Sequence, residues 1–217
     1  GNDRTTSNLA ASDQMLDSPT NNFCTFNNLI LSPQVAFSQG NLFADCGATH
    51  KSVHGTFIMT TGKWYWEARA FDGGADKFTY GLTDARNASN LQVSGTNYIV
   101  GNHSASYANG DAVSIYDGTL YKNGSGTGSY QTVVGDTDKV GIAFDADAGK
   151  VWFHRNGTWV NGSATASTTL NASNNDTTVT TGQRYVLAFS GETSDRLLNT
   201  GQDSSFNGAK TRQNNSD

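Results

Sequence analysis

Apolar and polar residues alternate along most of the chain between positions 23 and 206, in short runs that Gly, Asn and Asp interrupt. Alternation with a period of two is typical of strands that bury one face, whereas a helix repeats its apolar positions every three or four residues. The runs include GTFIMTTGKWYWEARAFDGG, KFTYGLTDA, AVSIYDGTLYKNGSG and KVGIAFDADAGKVWFHRNGTWV. Many short strands separated by turn residues predict an all-β protein, either a sandwich or a barrel.

The segment KWYWEARAF predicts which side of one strand faces the core. Alternation places Trp64, Trp66 and the two alanines that follow on the same face. Large apolar side chains beside small ones favour the interior between two packed sheets, where opposing side chains interdigitate. Glu67 and Arg69 fall on the opposite face, and we interpret them as a solvated cross-strand ion pair.

The segment KVGIAFDADAGKVWFHRNGTWV predicts a hairpin with turns at Asp145–Gly149 and Asn156–Gly157. A calcium site at Asp145 and Asp147 is an alternative, because alternate carboxylates can ligate a hard cation. A calcium loop needs further oxygen ligands and a downstream bidentate Glu, and none follows here. The sequence therefore predicts turns rather than a metal site at this position.

Carboxylates are too few for the commonest polysaccharide chemistry. Glycoside hydrolysis normally uses two carboxyl groups held about 5 to 10 Å apart. The chain has two glutamates, Glu67 and Glu192, in unrelated segments, and no GxSxG motif that would present a serine nucleophile. We predict no catalytic residue and no cofactor.

The charge, the hydropathy and the cysteines argue against nucleic-acid binding, membrane insertion, and zinc or redox chemistry. The formal net charge is −5, and the lysines and arginines are scattered, which disfavours nucleic-acid binding. No apolar stretch reaches the roughly 18 residues that membrane insertion requires. Cys24 and Cys46 are either two buried thiols or one disulfide, and neither belongs to a CxxC pair that would suggest zinc or redox chemistry.

GKWYWEARA, followed by GDTDKVGIAFDADAGKVWFHRNGTWV, resembles the SPRY domain in both residues and spacing. The resemblance covers roughly Gly40 to Phe206. It implies a bent antiparallel β-sandwich of the concanavalin-like jelly-roll type, which usually serves as a binding module without catalysis. On this resemblance the framework positions are Trp66, Gly141, Asp145, Gly149, Phe153, Asn156 and Gly157.

Other segments narrow the resemblance. DSPTNNFCTFNNL, SQGNLFA, LYKNGSGTGSY and a late NxGQ are similar to SPRY-like domains in bacteriophage structural proteins, including tail fibres and spikes. This implies a virion location and oligomeric assembly through a longer parent polypeptide. We accordingly divide the chain into a polar segment or linker at 1–22, the sandwich at 23–206 and a second polar segment at 207–217, where the sequence looks truncated.

The expected function is non-catalytic binding of a host-surface glycan or protein by a virion appendage. The alternative is a structural virion subunit, a capsid decoration or tail protein, whose loops contact other virion proteins. The preferred contact loops are Thr83–Gln92 and Gly101–Gly110, because Asn, Ser, Gly and Tyr supply adaptable polar contacts. The side chains predicted to make contact are Arg86, Asn87, Asn102, His103 and Tyr107.

Overall fold

The computed structural model describes residues 22–29, 35–47, 51–71, 78–87, 100, 110–162, 166–191 and 195–202. Within these ranges the chain forms fourteen strands. In chain order they are β1 (Ala36–Ser38), β2 (Phe43–Asp45), β3 (Lys51–His54), β4 (Lys63–Phe71), β5 (Phe78–Asp84), β6 (Ala112–Tyr116), β7 (Thr119–Lys122), β8 (Ser125–Ser129), β9 (Lys139–Asp145), β10 (Lys150–Arg155), β11 (Thr158–Trp159), β12 (Thr177–Thr178), β13 (Tyr185–Gly191) and β14 (Asp195–Asn199).

The strands form two antiparallel sheets. The eight-stranded sheet has the order β1-β2-β14-β4-β9-β10-β11, and β12 pairs with the free part of β10. The six-stranded sheet has the order β3-β13-β5-β6-β7-β8. The predicted all-β antiparallel sandwich is confirmed.

The core lies between the two sheets, where aromatic rings meet edge to face. Tyr80 of β5 and Phe153 of β10 have ring centroids 5.6 Å apart at 79°. Phe144 of β9 and Tyr185 of β13 lie 5.4 Å apart at 83°. Each pair joins one sheet to the other, in the perpendicular geometry that aromatic quadrupoles favour.

Strand β4 confirms the predicted inner face. Trp66, Ala68 and Ala70 are all buried, with at most 3% of their surface exposed. Trp64 lies at the edge of the same face, half-buried, and its indole nitrogen donates to the carbonyl oxygen of Thr61 at 2.7 Å. Period-two alternation therefore assigned the face correctly, and burial weakens only toward the start of the strand.

Three two-residue hairpin turns use the same chemistry, at Asp117–Gly118, Asn123–Gly124 and Asn156–Gly157. In each, both residues have positive φ, for example 50° and 79° in the last. Such turns match the twist of the flanking strands and favour Asn or Asp followed by Gly. The predicted turn at Asn156–Gly157 is confirmed.

The Asp145–Gly149 turn is also confirmed, and its carboxylate has a structural role. The Asp145 Oδ1 atom accepts a hydrogen bond from the Ala148 backbone amide at 3.0 Å. Gly149 has φ of 65°, and a Cβ there would lie 2.2 Å from the carbonyl oxygen of Val179. Only glycine fits this position without displacing the neighbouring chain.

Val100 lies on the outer face of the six-stranded sheet, against β6 and β13. The Val100 amide donates to Ser190 Oγ at 3.1 Å, and the Ser114 hydroxyl donates to the Val100 carbonyl oxygen. Val100 packs with Ala112 and Ala188, all three fully buried. This part of the sheet is therefore covered by the chain itself.

The two extremes of the described chain meet. The Thr200 hydroxyl donates to the Cys24 carbonyl oxygen at 3.0 Å.

Cys24 and Cys46 are free, buried thiols, and burial raises the pKa of both. The sequence left open either two buried thiols or one disulfide, and the structure has two thiols. No helix in the described ranges is long and apolar enough to cross a membrane.

Candidate functional site

A row of three residues crosses the outer face of the eight-stranded sheet. Glu67 of β4 pairs with Gly141 of β9, which in turn pairs with His154 of β10. Gly141 has no side chain, so the imidazole of His154 occupies the space above it. A Cβ at position 141 would lie 2.0 Å from His154 Nε2. The glycine thus lets groups from β4 and β10 meet across the intervening strand.

The meeting point is a directed chain of hydrogen bonds. The Gly157 amide donates to His154 Nδ1 at 3.4 Å. With Nδ1 accepting, the neutral imidazole carries its proton on Nε2, which lies 2.8 Å from the Tyr65 hydroxyl oxygen. Tyr65 then donates to Glu67 Oε1 at 2.6 Å. The chain runs from imidazole to phenol to carboxylate, and each group holds the next in place.

Electrostatics keep the central phenol protonated. Partial burial and then the neighbouring Glu67 carboxylate raise the pKa of Tyr65 well above its ordinary value. A phenolate would face a carboxylate, so the hydroxyl remains a donor. Tyr65 is therefore a fixed hydrogen-bonding group and not a base at neutral pH.

Trp159 closes one side of the cluster. Its ring centroid lies 4.7 Å from that of His154 at 66°, and 6.2 Å from that of Tyr65. Backbone hydrogen bonds in both directions with Ser167, at 2.7 and 3.1 Å, hold Trp159 in position. Tyr65 and His154 are stacked, with centroids 5.9 Å apart at 20°.

These groups border an open cavity of about 300 Å³, which we call the β4–β10 pocket. Its lining residues combine three aromatic rings with polar groups at the rim. They are Tyr65, Glu67, Lys139, His154, Asn156, Gly157, Trp159 and Thr168. A mostly preformed concave site with aromatic walls and a few placed polar groups is typical of small-ligand binding.

A second network fixes the rim of the pocket. Asp138 accepts from Arg155 Nε at 2.7 Å, from Asn156 Nδ2 at 2.6 Å and from the Gly135 amide at 2.7 Å. Burial alone would raise the pKa of Asp138, but these hydrogen bonds outweigh it and hold the pKa below its ordinary value. The Asn156–Gly157 turn, which follows β10, is thereby tied to the residue that precedes β9.

The titratable side chains that line the pocket are Tyr65, Glu67, Lys139 and His154. Glu67 is the single carboxylate among its lining residues, whereas glycoside hydrolysis uses a pair. His154 is 3% exposed, and its Nε2 lies 2.8 Å from the Tyr65 hydroxyl. Among the described residues no group of three or more His, Cys, Asp or Glu could hold a metal ion.

The prediction of a solvated Glu67–Arg69 ion pair is wrong. The Glu67 side chain is 15% exposed and accepts from Tyr65, and its Oε1 lies 3.9 Å from His154 Nε2. The Arg69 guanidinium instead lies over the ring of Phe71, 4.4 Å from its centroid. Each charged group thus contacts an aromatic residue of the same strand: Glu67 contacts Tyr65, and Arg69 contacts Phe71.

Of the predicted contact residues, Arg86 and Asn87 lie in the described part of the chain. Arg86 makes a two-pronged ion pair with the buried Asp84, at 2.9 and 2.8 Å, and also donates to Gln183 Oε1 at 2.5 Å. Its side chain is 43% exposed. Asn87 is fully buried, with Nδ2 3.5 Å from Thr83 Oγ1. The described contacts of both residues are thus within the chain, and their use in binding stays a prediction.

Asn102, His103 and Tyr107 fall outside the described residues, as does most of both predicted contact loops. Arg86 and the pocket are formed by separate elements: Arg86 follows β5 in the six-stranded sheet, and the pocket belongs to the other sheet. Arg86 and the β4–β10 pocket therefore belong to different sheets of the sandwich.

Sequence reasoning missed the pocket because its members are far apart along the chain. Tyr65 and His154 are 89 residues apart, and only the pairing of β4, β9 and β10 brings them together. The available signal was Gly141, a glycine inside an otherwise alternating strand, which often marks a close approach of neighbouring groups.

The arrangement of the two antiparallel sheets matches the β-sandwich fold of solved SPRY domains. Alignment with the crystal structure of the SPRY domain of human HERC1 covers 82% of this chain and 99% of that domain, with a TM-score of 0.53 and 14% identity. Alignment with the TRIM65 PSpry domain covers 81% and 89%, with a TM-score of 0.52 and 15% identity. No family model and no curated protein matches the sequence. The likeness is one of fold.

Proposed function

We propose that this chain is a non-catalytic binding module of a bacteriophage virion appendage, such as a tail fibre or spike, and that it binds a host-surface glycan or protein. The observation that carries the binding role is the β4–β10 pocket, a preformed, aromatic-lined cavity on a rigid sheet. The similarity of its fold to SPRY domains supports binding in general, since such domains mediate protein interactions. The virion setting rests on the similarity of several sequence segments to phage structural proteins.

The absence of catalysis is part of the proposal. A single carboxylate in the pocket leaves no partner for acid and base roles on opposite sides of a glycosidic bond. Incubation of the purified chain with bacterial surface polysaccharide should release no oligosaccharide. Release that is abolished by Glu67→Gln would overturn the non-catalytic proposal.

The binding proposal is tested with host bacteria. The purified chain, labelled with a fluorophore, should bind the cells and should compete with adsorption of the virus. The matched control is a heat-unfolded sample of the same chain. Failure both to bind and to compete would overturn the receptor-binding role, and labelling of the chain's position on the particle would then test the alternative, a structural subunit contacting other virion proteins.

A further inference from the structure

We propose that the β4–β10 pocket binds one neutral sugar ring, with Tyr65 as the stacking platform. This inference deepens the proposed function, and its biological meaning rests on that function. It assigns a site distinct from the contact loops that the sequence favoured.

The size of the pocket suits a single ring. Its volume of about 300 Å³ is at the lower end of the range for small-ligand sites. It is bounded on one side by the Trp159 ring and on another by the Asn156–Gly157 turn, which Asp138 holds in place. A longer saccharide would place one residue inside and the rest outside.

The exposed aromatic surface is what a sugar needs. Tyr65 is 50% exposed, one of the few large aromatic or aliphatic side chains that the described chain leaves this open. The apolar C–H face of a pyranose can pack on such a ring, while its hydroxyls remain wet. Because the Tyr65 hydroxyl is held at 2.6 Å by Glu67 and at 2.8 Å by His154, the ring is already ordered. Little side-chain entropy is then lost on binding.

The charges favour a neutral ligand. One acidic residue, Glu67, and one basic residue, Lys139, line the pocket, so neither sign dominates. Together with the Thr168 hydroxyl they offer both donors and acceptors around an aromatic wall. Hydroxyl groups, which donate and accept, match this set better than a phosphate, a sulfate or an ammonium group.

The test uses a panel of methyl glycosides of glucose, galactose, mannose and N-acetylglucosamine at about 10 mM, high enough to populate sites with millimolar Kd. Saturation-transfer NMR with the whole chain should detect binding of at least one. Tyr65→Ala should weaken that binding about tenfold or more, and Tyr121→Ala, which removes a half-buried tyrosine from the other sheet, should leave it unchanged.

A second measurement avoids dependence on the folding of the Tyr65→Ala variant. In the unmodified chain, addition of the bound glycoside should shift the indole N–H signal of Trp159 and leave that of the buried Trp66 in place. Absence of binding across the panel would overturn the inference. So would binding that leaves the Trp159 signal unmoved, or binding that Tyr65→Ala does not weaken.

The two proposals can fail separately. If glycosides bind in the pocket but the chain does not bind host cells, the sugar site stands and the appendage role fails. If the chain binds cells and Tyr65→Ala leaves that binding and the glycoside titration unchanged, the binding module stands and the sugar site is rejected.

Discussion

On the inner face of β4, Trp66 and Ala68 are covered by the second sheet, whereas on its outer face Tyr65 and Glu67 border an open cavity. Trp66 is 3% exposed and Tyr65 is 50% exposed, although they are adjacent in sequence. The inner side chains are held by close packing in the apolar core, and the outer ones by directional hydrogen bonds. Substitutions on the two faces should therefore separate stability from binding.

The largest expected effect is on the inner face. Trp66→Ala should lower the free energy of unfolding by about 3 to 5 kcal/mol, because it removes a large buried side chain and leaves a cavity. Chemical denaturation followed by circular dichroism measures this, with Tyr65→Ala as the matched outer-face control that should cost clearly less. A loss below about 1 kcal/mol for Trp66→Ala would mean that the inner face does not behave as packed core.

Gly141→Ala should have the next largest effect, and it should reduce both stability and ligand binding. The added methyl would meet His154 Nε2 at 2.0 Å and push the imidazole away from Tyr65. We expect a loss of about 1 to 3 kcal/mol from overpacking, together with disruption of the pocket. Thermal unfolding provides the measurement.

Gly135→Ala is the control for that substitution, because its Cβ would meet no atom closer than 3.6 Å. Its stability should change by no more than about 0.5 kcal/mol. Equal effects of the two glycine substitutions would contradict the assigned role of Gly141.

Tyr65→Phe should have a smaller effect and should sharpen the contrast between stability and binding. It removes the hydroxyl that links His154 to Glu67 but keeps the ring. The expected loss is about 1 kcal/mol of stability, the usual net contribution of a hydrogen bond. Glycoside affinity should change little, since the stacking surface remains. A loss of affinity as large as that of Tyr65→Ala would indicate that the hydroxyl, and not the ring, is what the ligand needs.

The smallest expected effect is on acid stability at the pocket rim. At the rim Asp138, and in the other sheet Asp111, which accepts from Asn123 and Thr180 beside the start of β6, have folded-state pKa values below their ordinary value, because hydrogen bonds outweigh the opposing effect of burial. Their contribution to stability is present above the ordinary pKa of about 4 and is lost as the pH falls through the lower folded-state pKa. Burial raises the pKa of Asp176, which works in the opposite direction.

Asp138→Asn tests the share of Asp138. The melting temperature of this variant should lie below that of the unmodified chain at neutral pH, and the difference should shrink as the pH falls below about 4. A difference that is constant with pH would show that the charge of Asp138 does not contribute.

Local chemistry in the sequence was enough to predict the all-β class, the inner face of β4 and the turns after β9 and β10. Alternation placed Trp66 in the core, and the Asn156–Gly157 dipeptide located a tight turn, because both signals act over a few residues. The SPRY resemblance added the sandwich topology, which the comparison of folds supports.

The pocket could not be predicted in this way, because it depends on register. Whether Glu67, Gly141 and His154 lie in one row is decided by the pairing of three strands, and a slip of one residue would turn His154 to the other face. Arg86 was predicted to make contact because of its loop position; its guanidinium pairs with the buried Asp84 two residues before it, and its use in binding stays a prediction.

The junction between Thr200 and Cys24 has a consequence for how this module can be rearranged. Two chain positions that are 176 residues apart in sequence are in hydrogen-bond contact, so a short covalent linker could join their neighbourhoods directly. The chain could then be opened at the exposed turn of Thr181 and Gly182, producing a circular permutant with the same sheets. Because these two positions are close together, the sandwich with its pocket could also be inserted as a domain into a surface loop of an unrelated carrier protein.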